Sequence, residues 1–380
     1  MIQMIQTKKT KKAPPGSAVL PPVPALLLAA ALLTLSTLSG CAGQPPAEVP
    51  PEPAASALSP EAEDLVQRGI VYHDRGDYEA AVTCYEQALE LAPDHPVIYY
   101  EMAFSYISMD KPETALELAG RGISGALARN LTELLPTLLD LKASALDNLG
   151  RSEEAVAVYL EAINTYGAAN TLLYYNLAVS YYRVDKRTEA AEALIKGLGL
   201  NPNHASSNYL LGRIYREDGK KTQAFYALSY FLLLEPNTDR AGSSWNTILA
   251  MLDRQEEGIG VRENGTFTAS DMVISLAFTL DEDNAKKSAA EKIRAKLYYV
   301  YTGLEEQKNS GRIGRSAGDE LWWDFYAPFF DRIARSDYFN TFCRYIALTT
   351  DPGADQWIEN GRDEIEGFFK WLNEYHEAAN

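Results

Sequence analysis

The strongest constraint on this chain is a spacing. Alanines recur 34 residues apart, Ala81 to Ala115 and Ala190 to Ala224, with Ala155 between them at offsets of 40 and 35. Around each, the same order of residue types returns. A small residue precedes an aromatic one by three positions: Gly69 and Tyr72, Ala103 and Tyr106, Ala178 and Tyr181, Gly212 and Tyr215, with Ala143 and Leu146 in the middle copy. A turn residue follows (Gly76, Asp110, Gly150, Asp185, Gly219), and then the alanine. Pro93, Pro202 and Pro236 close three of the copies. A period of this length signals a stack of like units, because one helical hairpin cannot bury its own apolar face. The small residues predict where two antiparallel helices touch, and the aromatic fills the space beside that contact. Gly or Asp breaks the chain between the helices, and Pro stops the second one.

The run Asp77-Tyr78-Glu79-Ala80-Ala81-Val82, continued by Tyr85, Ala88 and Leu89-Glu90-Leu91-Ala92-Pro93, resembles the tetratricopeptide repeat. That resemblance implies an all-α solenoid of about five helix-turn-helix units, at 62–95, 96–129, 136–170, 171–204 and 205–238, within a superhelix over 61–238. Two units depart from the pattern. The second has Ala119, Gly122 and Leu127 where Tyr, Ala and Pro are expected, and a long tail over 120–136. The fifth has Phe231 at a usual Ala position.

In that family the first helix of each unit lines the concave wall of the superhelix. Carried over by position, the wall receives Tyr100, Phe104 and Ile107 from the second unit and Asp140, Ser144, Asp147 and Asn148 from the third. The fourth gives Tyr175, Tyr182 and Arg183, and the fifth Tyr209, Arg213 and Arg216. The wall then runs from apolar-aromatic through acidic to aromatic with Arg. Tyr and Arg are enriched at binding hot spots. The candidate partner-binding residues are therefore Tyr100, Phe104, Tyr175, Tyr182, Arg183, Tyr209, Arg213 and Arg216, a set suited to an extended peptide or a terminal carboxylate. The same tyrosines equally suit packing between neighbouring units, and the arginines equally suit pairing with local glutamates. Val66 and Ile70 stand where chaperone-type members carry the Lys and Asn of a carboxylate clamp, which argues against that partner class.

The first forty residues read as an address. Lys8, Lys9, Lys11 and Lys12 open it with no acidic neighbour, and an apolar run over 25–38 follows after several prolines. The run is shorter than the ~20 residues of a spanning helix and has the size of a signal-peptide core. Leu38-Ser39-Gly40-Cys41 resembles the bacterial lipobox. The resemblance implies a signal peptide over 1–40, cleavage before Cys41, and fatty-acyl groups on that cysteine. Two or more acyl chains anchor a protein stably, at ~0.8 kcal/mol per buried CH₂. An uncleaved short anchor, or an ordinary secretory signal with a chance cysteine, is the alternative. In a Gram-negative cell, Ala42, in place of the Asp that commonly retains such proteins at the inner membrane, favours by that resemblance the periplasmic face of the outer membrane. Residues 41–60, rich in Pro and Ala and without periodicity, are expected to form a tether.

Charge excludes some partners. The chain has 52 acidic and 35 basic side chains, a formal charge of −17. Without the leader, 31 basic residues face the same 52 acidic ones. So acidic a surface is unsuited to nucleic acid, which needs cationic neutralisation. An anionic bilayer would repel it too, leaving lipid as the expected membrane contact. Four His and three Cys provide neither a disulfide framework nor an evident zinc site. No metal and no cofactor are expected.

After Pro236 the pattern stops, and residues 239–380 resemble no family. Helical periodicity continues near 243–257, 269–282, 285–308, 319–335, 337–349 and 354–378, with Thr268 and Asp271 fitting a capping box. Such a block can cover the open end of a solenoid and add a surface of its own. Asp281-Glu282-Asp283-Asn284 resembles a calcium loop, but Ala285 and Lys286 occupy the places of a ligand and the required Gly. It reads as a helix end followed by an acidic helix start. In Leu321-Trp322-Trp323-Asp324-Phe325-Tyr326-Ala327-Pro328-Phe329-Phe330 the aromatics cover more sides than an amphipathic helix needs. Enclosure explains that, as does one side turned to a partner or glycan. Glu320, Asp324 and Asp331 could share a helical face as glycosidase carboxylates do, but Pro328 interrupts the geometry and solvated acids are the plainer reading. Cys84 and Cys343 read as small buried hydrophobes, a disulfide between them being chemically allowed. His73, His95, His204 and His376 complete no nucleophilic triad, and His95 and His204 read as loop residues. The expectation is a non-catalytic, membrane-anchored scaffold that holds a protein or peptide partner. The alternative is a glycan-binding or cell-wall-acting enzyme with its active surface in 239–380.

Overall fold

The computed structural model describes residues 58–167, 170–253, 287–310 and 321–379, together with Val273, Ile274, Leu276, Ala277 and Leu280. The leader, Cys41 and most of the tether lie outside these residues, as do Thr268, Asp271, Asp281-Glu282-Asp283-Asn284 and Glu320. Every regular element among the described residues is helical. Ten helices form five hairpins. They are α1 (Pro60–Asp74) with α2 (Tyr78–Leu91), α3 (Pro96–Ser108) with α4 (Pro112–Ala128), α5 (Leu135–Asn148) with α6 (Ser152–Tyr166), α7 (Thr171–Arg183) with α8 (Arg187–Leu200), and α9 (Ala205–Glu217) with α10 (Lys221–Leu234).

Each hairpin closes on the small residues of the period. Ala81, Ala115, Ala155, Ala190 and Ala224 are completely buried, as are Ala103, Ala143 and Ala178 on the helices opposite. The five hairpin turns share one backbone device. Gly76, Asp110, Gly150, Asp185 and Gly219 have φ of 80°, 55°, 75°, 57° and 69°. Glycine enters this left-handed region freely, and Asp is among the few other residues that visit it. That is why the turn position alternates between these two types.

Of the second unit's departures, Gly122 has a steric cause: a Cβ there would stand 2.7 Å from the Leu138 side chain. Gly125, one turn on, is as closely packed. A Cβ at Gly125 would stand 2.5 Å from the backbone oxygen of Asp94. The Arg129 guanidinium donates to that same oxygen at 2.9 Å and to the Pro93 oxygen at 2.8 Å. Helix α4 therefore presses against the loop before α3, and a side chain at 125 would push it away.

α11 (Asp239–Leu252) follows α10 after a short connection, its first turn capped by the Thr238 hydroxyl, which accepts from the Ala241 N–H at 3.2 Å. Then come α12 (Ala289–Asn309), a wide-turn segment at Leu321–Tyr326, α13 (Ala327–Ala334), α14 (Phe339–Ile346), α15 (Ala354–Asn360) and α16 (Arg362–Ala379). Ser288 and Glu291 form a capping box at the start of α12. The single helix expected over 354–378 is two helices. The break comes at Gly361, whose N–H bonds to the Trp357 carbonyl at 2.7 Å.

Helix α10 is apolar on all sides because it is covered on all sides. Every residue from Ala224 to Leu233 is buried. The Tyr226 hydroxyl donates to the Val300 carbonyl at 3.1 Å, Tyr301 donates to Ser229 at 2.8 Å, and Tyr326 hydrogen-bonds Asn208. Rings of Phe325, Tyr326 and Phe329 stand edge-on to Tyr230, 5.2–5.6 Å away. One hydrophobic core thus runs from Leu139 to Leu372 without interruption at 238. The aromatic run is enclosed. In Leu321–Tyr326 the turn is wider than an α-turn, which brings Leu321, Trp322, Trp323 and Tyr326 all inward and leaves Asp324 exposed. Pro328 falls in the first turn of α13, where no N–H is needed.

Two glycines of α4 give a paired test. Nothing stands within 4 Å of a Cβ at Gly120. Gly120→Ala is expected to raise stability by up to ~1 kcal/mol, the helix-propensity gain. Gly125→Ala has the same gain but is expected to lower stability by ~1–3 kcal/mol through overpacking against backbone. Urea unfolding of both variants checks the opposite signs.

Candidate functional site

The first helices α1, α3, α5, α7 and α9, continued by α11, form one wall, and their polar side chains are linked from unit to unit. Asn176 donates to Asp140 at 2.9 Å, Arg183 to the Asp147 carbonyl at 3.0 Å, Tyr182 to Glu217 at 2.8 Å and Arg240 to the Ser206 hydroxyl at 3.2 Å. The partners are 36, 36, 35 and 34 residues apart, so each bond joins near-equivalent positions of consecutive units.

The early part of the wall is aromatic and acidic. Half-buried Tyr100 lies parallel to Phe104 at 6.3 Å, and Phe104 stacks on His73 of α1 at 4.7 Å. His73 is fixed by a 2.8 Å hydrogen bond between Nδ1 and the Ser105 hydroxyl, and burial lowers its pKa below the ordinary 6.5. Beside Tyr100, Glu101 is raised to about 7 by burial and by the charge of Asp74. Burial raises Asp140 to about 6, against the Asn176 bond, which favours the carboxylate. Burial, with the charges of Glu101 and Asp140, holds the Tyr100 phenol well above its ordinary value.

The middle is an internal knot. Asp147 is hydrogen-bonded by Ser180 and lies 3.5 Å from the Arg183 guanidinium. Arg183 is thus committed to Asp147, a pairing the sequence left open. Beyond it lies a cluster of aromatic and guanidinium groups. Arg213 donates to the Tyr182 hydroxyl at 3.2 Å and sits over the rings of Tyr182 and Tyr209, 5.6 and 5.7 Å from their centres. Arg240 covers Tyr209 at 5.4 Å and Phe231 at 5.1 Å, and is ion-paired with Glu235. Phe231, the departure in the fifth unit, is therefore the ring under Arg240. Arg216 lines a recess of about 180 Å³ with Tyr209, Arg213, Glu217 and Thr247. Tyr175 meets His204 edge-on at 5.2 Å, and burial raises its pKa.

The structure thus gathers Tyr182, Tyr209, Arg213 and Arg216 in one sector. It sets Tyr100 and Phe104 in another and Tyr175 beside His204. Sequence reasoning missed Glu101, Glu217 and Arg240. The last two carried a signal, since each lies about one period beyond a wall residue, Tyr182 and Ser206. Arg240 was hidden because the visible pattern ends at Pro236.

The remaining candidates are placed apart. Cys84 and Cys343 are buried, unpaired thiols, and burial pushes Cys343 far above its ordinary range. His95 and His204 lie in the connections between units, as the residues just before α3 and α9, and His95 is buried. Asp331 pairs with Arg335 at 2.8 Å. Among the described residues no group of three His, Cys, Asp or Glu side chains could hold a metal ion.

The raised carboxyls give a pH test of the wall. Glu101 and Asp140 bind protons more tightly in the folded chain than at their ordinary values of 4.5 and 3.8. A tighter folded site stabilises the fold when protonated, and that gain is lost as pH rises through the folded pKa. The contribution of these two groups to stability is expected to fall between pH about 4 and about 7. Urea midpoints across this range should fall less steeply in Glu101→Gln than in the parent.

Three segments match family models, 69–110 one described as TPR repeat, and 136–166 and 175–237 ones described as tetratricopeptide repeat. No curated protein matches the sequence. Solved structures similar to the chain include pilF of Pseudomonas aeruginosa, at 20% identity and TM-score 0.45, covering 66% of this chain and 97% of that one. A thermophilic TPR protein of Thermus thermophilus has 20% identity and TM-score 0.41, covering 50% of this chain and 99% of that one. MamA from Desulfovibrio magneticus has 17% identity and TM-score 0.40, covering 48% and 99%. The matched segments touch all five hairpins, and with the small-residue crossings at each they make this chain a tetratricopeptide-repeat protein.

Proposed function

We propose that the chain is a lipid-anchored adaptor of the bacterial cell envelope that holds an extended segment of a partner protein along the first-helix wall, on the concave side. The observation that carries this is the division of charge along that wall. Half-buried carboxyls at Glu101 and Asp140 stand beside the Tyr100–Phe104 pair, and Arg213, Arg216 and Arg240 stand with Tyr182 and Tyr209 two to three units later. A segment with basic residues toward its one end and a carboxylate or aromatic group toward the other fits both sectors. Lipidation at Cys41 rests on the lipobox resemblance, and the outer membrane on Ala42. Anchoring raises the local concentration of whatever the wall recruits. The role is holding rather than catalysis, as is general for this repeat.

Cross-linking in the native envelope, followed by identification of the attached protein, tests the reading. Tyr209→Ala with Arg213→Ala is expected to weaken partner capture by ~30-fold or more, the cost of losing about 2 kcal/mol of hot-spot contact. Capture should strengthen from pH about 6 to about 8 as Asp140 and Glu101 ionise. Cys41→Ser should move the protein from the membrane to the soluble fraction while the purified protein still captures its partner. Full capture by the wall variant would remove the wall from the mechanism, and membrane retention of Cys41→Ser would remove the anchor.

A further inference from the structure

A second concavity lies among the C-terminal helices. It is a cleft of about 600 Å³ whose walls come from α11, α12, α14, α15, α16 and the turn after α14. That volume is the size of a small-molecule site. Two indoles and two guanidiniums line it: Trp245, Trp357, Arg294 and Arg344. Trp245 is only 4% exposed and so belongs to the floor.

Arg344 is held on two sides. Its Nε donates to Asp351 at 2.9 Å, and its guanidinium lies 4.9 Å from the centre of the Trp357 ring. Asp351 is itself fixed by the Gly353 N–H at 2.8 Å, which with Arg344 keeps its carboxyl below the ordinary range. The terminal amino groups of Arg344 have no hydrogen-bond acceptor among the described residues. Arg294 donates to the Asn340 side-chain oxygen at 2.9 Å and, among the described residues, meets no carboxylate at ion-pair distance. In a chain carrying 52 acidic side chains against 35 basic ones, a cleft-lining arginine with no carboxylate at ion-pair distance is out of keeping with its surroundings. Two planar forks with unused donors, one of them held in place, line the same cleft, and such forks are the groups with which an oxyanion pairs. Glu364 also borders the cleft, bonded to Thr341. With Asp351 it balances the two guanidiniums, so recognition rests on their unused N–H donors rather than on net charge, and a single anionic group suits the cleft where a polyanion does not.

We propose that this cleft binds a small organic anion, with one carboxylate or phosphate group between Arg294 and Arg344 and a flat apolar body against Trp357 and the floor at Trp245. The site is independent of the first-helix wall.

Isothermal titration of the full chain with four probes tests it: phenylacetate, phenyl phosphate, uncharged 2-phenylethanol and inorganic phosphate. Chitobiose serves as a neutral sugar. One or both aromatic anions should saturate with Kd below ~1 mM, while 2-phenylethanol and inorganic phosphate bind at least ~10-fold more weakly, each lacking one half of the recognition. Whichever anion binds better identifies the head group as carboxylate or phosphate. Arg294→Gln should weaken that probe by ~10-fold or more with an unchanged melting temperature, and Arg344→Lys should weaken it too, because an ammonium lacks the planar fork. If Arg294→Gln does not fold, Asn340→Ala frees the guanidinium without removing it and is expected to weaken binding by a few-fold. The proposal falls if no aromatic anion saturates below ~10 mM. It falls equally if the uncharged probe or chitobiose binds as well as the anions, or if folded Arg294→Gln binds unchanged.

Discussion

The whole solenoid depends on how closely two helices in a hairpin can approach. Fully buried alanines on the second helix, with alanine or glycine on the first, set that distance, Gly69 and Gly212 making room for Tyr85 and Leu228. A larger residue there would spread the hairpin and, through it, every later unit. The fixed approach is what makes near-equivalent positions 34 to 36 residues apart fall within hydrogen-bond reach along the first-helix wall. The polar ladder is thus a consequence of the apolar crossing. It adds direction to a stack that hydrophobic burial alone would hold loosely, since burial is nearly indifferent to small slips between units while hydrogen bonds are not.

The wall carries charges that a soluble surface would not need. Glu101 and Asp140 are kept from water enough to hold their protons near neutrality. A group of that kind is costly to ionise alone and inexpensive to ionise beside a cation. On the proposed reading the partner supplies that cation, so recognition and ionisation are one event. The Arg–Tyr sector works in the opposite sense. Arg213 is already spread over the faces of Tyr182 and Tyr209, which leaves part of its planar edge to meet a carboxylate with little further ordering, while Arg240, its edge taken by Glu235 and Ser206, adds positive charge and fixes Tyr209.

What could be read from the sequence follows from what repeats. The five hairpins were legible because the crossing alanines and the left-handed turn residues are fixed by local geometry that recurs. Gly122 departs from the pattern of the second unit, yet it and Gly125 answer to contacts with neighbouring segments, Leu138 and Asp94, that no local pattern displays. Arg240 escaped notice because α11 continues the wall with none of the small-residue grammar. The helix break at Gly361 was marked by Asn360-Gly361 but overridden by good periodicity on both sides. In the aromatic run the difficulty was the assumption of 3.6 residues per turn. A wider turn rotates successive side chains by less than an α-turn does, and so narrows the arc over which Leu321, Trp322, Trp323 and Tyr326 are all buried.

The end of the solenoid is the least separable part of the molecule. Helix α10 has no polar face to present to water. Phe225, Tyr226, Tyr230 and Phe231 are each at most 1% exposed, and they owe this to α11, α12, α13 and the run at Leu321–Tyr326 as well as to α9. Cutting the chain after the last repeat would uncover four aromatic side chains at once, several hundred Å² of apolar surface at about 150–250 Å² apiece. The resulting stump would be driven to associate. The C-terminal helices therefore act as the cap that any helical stack with an apolar end requires, and the hydrogen bonds from Tyr226, Tyr301 and Tyr326 fix that cap in one orientation. Separating the roles of wall and cleft calls for point substitutions within the intact chain.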